Sequence, residues 1–155
     1  MRRTKPEKRE IEPDIRYSNA NLQVLINHVL KQGKKSTATR LVYGAMDIIE
    51  DKQKKNPIEV FEAALRNAGP VMEVRPRRVG GATYQVPMEV DNNRKLALSI
   101  RWILTASRAR SGKSFAEKLA AELMEAADNQ GAAIRKKEET HKMAEANRAF
   151  SHFRF

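Results

Sequence analysis

At 155 residues the chain has the length of one ordinary domain, and 41% hydrophobic residues are enough to fill a core that 6% aromatics leave mainly aliphatic. Thirty Lys and Arg against nineteen Asp and Glu give a formal charge of +11, which in so small a chain points to a polyanionic partner, nucleic acid or an anionic membrane surface. The absence of cysteine excludes disulfides, thiolate chemistry and Cys-based zinc sites, and no run of about eighteen apolar residues could span a bilayer.

Residues 1–17, MRRTKPEKREIEPDIRY, mix both charges with two prolines and read as a flexible basic arm. Arg2, Arg3, Lys8 and Arg9 are its candidate phosphate contacts, diluted by Glu7, Glu10, Glu12 and Asp14. The stretch has no apolar segment of the kind a secretory signal needs.

A first helix follows, with Leu22, Leu25, Ile26, Val29 and Leu30 on one face, Ser18 or Asn19 as its cap and Gly33 as its closing residue. A second, from about 36 to 52, carries the stripe Ala38, Leu41, Val42, Ala45, Ile48 and Ile49, and the short connection makes the pair antiparallel. Asn56-Pro57 opens a third helix, with Glu59 placed for a capping box, and Gly69-Pro70 stops it.

The periodicity then changes. Residues 72–90, MEVRPRRVGGATYQVPMEV, hold β-favouring residues around Gly80-Gly81, while Pro76 and Pro87 exclude a central strand. This predicts a two-stranded hairpin arm of open register. A hairpin built for stability alone would not place Arg75, Arg77 and Arg78 together, because they repel one another unless an anion lies between them. Tyr84 offers a flat face for a nucleobase.

A fourth helix starts at Asp91 or Asn92 and ends before Ser111-Gly112. Ser114 with Glu117 caps a fifth, and Gly131 closes it. A sixth, from about 132 to 147, is mostly polar with a thin inner face of Ile134, His141 and Ala144. Such a helix is loosely attached or held by a partner. The fold expected is mainly α, a single domain of about six helices with a two-stranded arm between helices three and four.

The cations gather in clusters. Lys34 and Lys35 precede a helix N-terminus, which is a natural phosphate seat. Residues 92–114 contain no acid but carry Arg94, Lys95, Arg101, Arg108, Arg110 and Lys113. Arg135, Lys136 and Lys137 open the last helix, against its dipole. Catalytic readings fail. SGKS at 111–114 and GKKS at 33–36 lack the required glycine of a phosphate-binding loop. The three histidines, 28, 141 and 152, have no metal spacing, and His28 reads as a packing residue. No catalytic residue, metal or cofactor is expected. A helix-based DNA regulator and a membrane-surface protein fit less well, since the cations cover several faces and there is one Trp.

The run VMEVRPRRVGGATYQVPMEV (71–90) resembles the hairpin arm of the seventh small-subunit ribosomal protein family in its bacterial form. GKKSTATRLVYGA (33–45) is similar to that family's first loop and second helix, and KKEETHKMAEANRAFSHFRF (136–155) to its C-terminus. The resemblance implies a non-enzymatic, cytoplasmic constituent of the small ribosomal subunit. It implies direct binding to the head domain of 16S rRNA, nucleation of head assembly, and a place beside exit-site tRNA, mRNA and neighbouring head and platform proteins. The rRNA contacts it implies are Arg2, Arg3, Arg9, Lys34, Lys35, Arg75, Arg77, Arg78, Gly80, Gly81, Arg94, Lys95, Arg101, Arg108, Arg110, Lys113 and Lys136. Those near tRNA and mRNA are Arg78, Val79, Gly80, Gly81 and Tyr84 in the arm, and Arg148 and Arg154 in the tail at 148–155.

Overall fold

The computed structural model describes residues 10–153. Helices α1 (Ala20–Val29), α2 (Lys35–Gln53) and α3 (Pro57–Ala68) lead into strands β1 (Met72–Val79) and β2 (Ala82–Glu89). Helices α4 (Asn92–Ala109), α5 (Phe115–Ala127) and α6 (Ala132–Ala146) follow, and a short 3-10 helix (Arg148–Phe153) ends the described chain. The expected bundle with its two-stranded arm is what forms.

The boundaries follow from side-chain chemistry. Asn19, not Ser18, caps α1, its Oδ1 accepting from Leu22 N–H at 3.0 Å. Asn56 accepts from Ile58 N–H at 3.1 Å with Pro57 behind it, and Ser114 Oγ accepts from Glu117 N–H at 3.2 Å. Each satisfies a donor that a helix start leaves unpaired. Gly33 is left-handed as expected, at φ +73°, but it lies in the loop beyond α1, whose C-cap is Leu30.

Helix α5 is the centre of the bundle, packed against α2, α3 and α4. Its Leu119, Ala120, Leu123 and Ala126 are fully buried, together with Leu22 and Leu25 of α1, Val42, Met46 and Ile49 of α2, and Ile100 and Ile103 of α4. The core is aliphatic apart from Phe61. At about 25 cal/mol per Å² of buried apolar surface, each such side chain contributes some 1.5–3 kcal/mol, far more than any single cap.

Two expectations need correction. Residues 14–17, expected to belong to a flexible arm, are held against the bundle, while residues 1–9 lie outside the described residues. Asp14 is 3% exposed, and its carboxylate accepts from Arg16 N–H at 3.1 Å, Tyr17 N–H at 2.9 Å and the Tyr43 hydroxyl. This Asx turn lays Tyr17 edge-on to Tyr43 with the Arg16 guanidinium over both rings. Helix α6, in turn, is not loosely attached. Glu122 Oε1 accepts from Ala133 N–H at 2.9 Å, Lys137 Nζ donates to the Asn67 carbonyl at 2.8 Å, and His141 Nε2 accepts from Val71 N–H at 3.0 Å. These polar contacts add to a thin apolar face, on which Ile134 and Ala144 are buried as expected, together with Ala133. His28, read as a packing residue, is exposed.

Candidate nucleic-acid interface

The hairpin register, open in the sequence, is set by its turn. Gly80 and Gly81 have φ of +58° and +89°, a two-residue turn with both centres left-handed, which matches the twist of antiparallel strands. It pairs Val79 with Ala82, Arg78 with Thr83, Arg77 with Tyr84 and Arg75 with Val86. Directly paired residues share a face and successive residues alternate. Arg75 and Arg77 therefore lie on one face with Tyr84 and Val86, and Arg78 lies on the other. The three arginines do not form one anion clip.

They also differ in how far their charge is already matched within the protein. Arg75 Nε donates to Glu73 Oε1 at 2.6 Å, and Arg94 from α4 donates to Glu73 Oε2 at 3.2 Å. Glu73 is 7% exposed, and burial alone would push its carboxyl up, but the hydrogen bonds from Arg75 and Arg94 bring it below its usual value. The trio keeps one net positive charge and ties the root of the hairpin to the start of α4. Among the described residues, Arg77 and Arg78 have no acidic partner and are exposed.

The α4–α5 connection divides in the same way. Arg108 and Lys113 are exposed, with no acidic partner among the described residues. Arg110 turns inward. Its Nε donates to Glu122 Oε2 at 2.6 Å, and its terminal nitrogens grip both oxygens of Glu125. The hydrogen bond from Arg110 holds the Glu125 carboxyl below its usual value, and the Arg110 guanidinium is raised in return, through Glu125 first and Glu122 second. Glu122 is 0% exposed, and its second oxygen caps α6. Arg110 is thus committed to the fold, a strut joining α4, α5 and the start of α6.

Lys34 is the N-cap of α2 and gives it no side-chain cap; Lys35 N–H donates to the Gly33 carbonyl at 2.9 Å, and the N–H groups of Ser36 and Thr37 have no partner among the described residues and stay available to an anion beside Lys34 and Lys35. Lys95 is half-buried, its stem lying over Gly69, while Arg101 is exposed on α4. Lys136 pairs with Glu139 at 2.9 Å on the exposed side of α6. A surface pair of that kind is worth about 0.3–0.5 kcal/mol, so it does not withhold the lysine from a phosphate as Glu122 withholds Arg110. Arg148 is exposed at the start of the 3-10 helix. Arg2, Arg3, Lys8, Arg9 and Arg154 lie outside the described residues.

Tyr84 is not the open stacking face expected of it. Its ring lies 4.9 Å from that of Phe153 at 30° and 5.4 Å from that of Phe150 at 49°. His152 continues the row, 4.0 Å from Phe153. A signal for this was present, since Phe150 and Phe153 are three apart and a 3-10 helix puts such residues on one side. The described residues contain no cluster of His, Asp and Glu able to hold a metal ion.

A family model described as Ribosomal protein S7p/S5e matches residues 1–148. The chain is 56% identical over 154 residues to the small ribosomal subunit protein uS7 of Methylobacterium radiotolerans, an alignment covering 99% of each chain. It is 57% identical over 155 residues to the protein of that name from Thermotoga neapolitana, covering 100% of each, and 57% identical over 154 residues to that from Hahella chejuensis.

Proposed function

The chain belongs to the ribosomal protein S7p/S5e family and is a structural, non-enzymatic constituent of the small ribosomal subunit, and on that premise we propose that it binds the head domain of the subunit's ribosomal RNA directly and nucleates folding of the head. The observation that carries this reading is the sorting of its cations. Arg75, Arg94 and Arg110 are matched to buried carboxylates, whereas Arg77, Arg78, Arg108 and Lys113 stand exposed on a hairpin and a loop without acidic partners among the described residues. Placing like charges together on rigid elements costs stability unless a polyanion meets them. The uncapped start of α2 adds backbone N–H donors to Lys34 and Lys35.

In this reading the rRNA surface comprises Lys34, Lys35, Arg77, Arg78, Lys95, Arg101, Arg108, Lys113 and Lys136, with Arg75 and Arg94 in a supporting role at Glu73. The hairpin tip, from Arg78 through Gly81, and the tail beginning at Arg148 face exit-site tRNA and mRNA. Neighbouring head and platform proteins take the remaining surface. The exposed, side-chain-free Gly80-Gly81 turn supports the tip assignment, because a nucleic-acid backbone can approach it closely. The test is binding of a head-domain transcript by the R77E/R78E and R108E/K113E chains. Both are expected to bind at least tenfold more weakly with unchanged unfolding midpoints, and wild-type affinity in both would contradict the assignment.

A further inference from the structure

The 3-10 helix, Arg148–Phe153, covers Tyr84 but does so shallowly. Two of its rings meet the Tyr84 ring at distances where aromatic pairs attract, 4.9 and 5.4 Å, yet none of its residues is fully buried. It packs mainly on β2, with a few contacts to α6, and follows α6 after a single residue, Asn147. The surface it covers belongs to a lone two-stranded hairpin, which needs outside support to hold its shape. Shallow contact and few buried groups place such a segment at the low-stability end of a structure, where it opens far more often than the core. Arg77 lies directly across the strand pair from Tyr84, and Arg148 starts the covering helix, lining a cavity at the hairpin root with Val71, Met72 and Pro87.

We propose that the C-terminal 3-10 helix is an intramolecular cover on Tyr84, and that an unpaired nucleobase of single-stranded RNA displaces it. Phe150 and Phe153 lie tilted against the ring that a base would need to stack on, so tail docking and base stacking exclude each other. The free protein keeps its hairpin supported by its own tail. RNA, guided by Arg77 and Arg148, exchanges one aromatic partner of Tyr84 for another and releases the tail. This rests on the RNA-binding reading of the hairpin and adds a switch to it.

The test compares the full wild-type chain with F150A/F153A, Y84A and the triple variant. In the free proteins, amide hydrogen exchange along β2 reads the cover alone: F150A/F153A is expected to exchange faster at residues 83–86 while α5 is unchanged. Binding of a single-stranded uridine octamer reads the competition. Stacking on one aromatic ring is worth about one order of magnitude in affinity, so F150A/F153A is expected to bind the octamer roughly three- to tenfold more tightly than wild type. Y84A is expected to abolish that gain in the triple variant. Unchanged exchange along β2 would overturn the cover, whatever RNA does. An octamer bound more weakly by F150A/F153A would make the two phenylalanines part of the stacking surface and overturn the exclusion, and an octamer bound by neither chain would overturn the base as displacing ligand. Head-domain binding by wild type is measured alongside, and its loss with faster β2 exchange in F150A/F153A would count against the rRNA reading and not against the cover.

Discussion

Arg110 and Arg108 are two residues apart in a basic loop, and nothing in their type separates them. The difference lies in what they face. Arg110 meets a carboxylate with no access to water, and Arg108 meets solvent. Removing one partner of a buried pair leaves an uncompensated charge at a cost of about 3–5 kcal/mol, whereas a surface substitution stays within about 0.5 kcal/mol. R110A is therefore expected to lower the urea-unfolding free energy by about 3–5 kcal/mol, and R108A to leave it nearly unchanged. R110K should recover little, because an ammonium cannot reach Glu122 and Glu125 with the planar fork that joins them. A charge-reversal series across this loop that included Arg110 would confuse loss of fold with loss of RNA binding.

At the scale of elements, α6 and the hairpin root depend on His141, whose Nε2 accepts from Val71 N–H. Burial, and then the charge of Lys137, push this imidazole below its ordinary 6.5. Between 6.5 and that lower value the unfolded chain binds the proton more tightly than the folded one. Stability is therefore complete above pH 6.5 and falls as the pH drops towards the folded-state value. Melting temperature is expected to fall on acidification from pH 7 to pH 5 in wild type. In H141Q, which keeps an acceptor oxygen for Val71 but does not titrate, that part of the slope should vanish. An equal slope in both chains would place the pH dependence elsewhere. Helices α1 to α5 and the hairpin were legible in the sequence because their information is local, in apolar period, cap residues and a Gly-Gly turn. The inner face of α6, Ile134, His141 and Ala144, was legible too, but its polar partners were not, since Lys137 and His141 reach Asn67 and Val71, each 70 residues away, and a polar helix gives no periodic sign of such partners. The same limit hid the covering of Tyr84 by a tail 66 residues onward at Phe150.

For the whole molecule, the sequence supplied the total charge but not its division. Which arginines are structural depends on where Glu73, Glu122 and Glu125 come to lie, and folding alone brings them to Arg75, Arg94 and Arg110. After that division a wrapped set of exposed cations remains on the hairpin, the α4–α5 loop and the start of α2. Specific rRNA recognition by such a surface combines phosphate contacts, which are salt-dependent and indifferent to sequence, with a shape that only the correct RNA fold matches. The most direct test is binding of the purified chain to a head-domain transcript over a range of salt, with tRNA and duplex DNA as competitors. The expected result is tight binding that survives both competitors, with log K falling linearly in log salt by roughly 0.7–0.9 per neutralised phosphate. Equal affinity for every polyanion would contradict it, and would mean that net charge alone drives the binding.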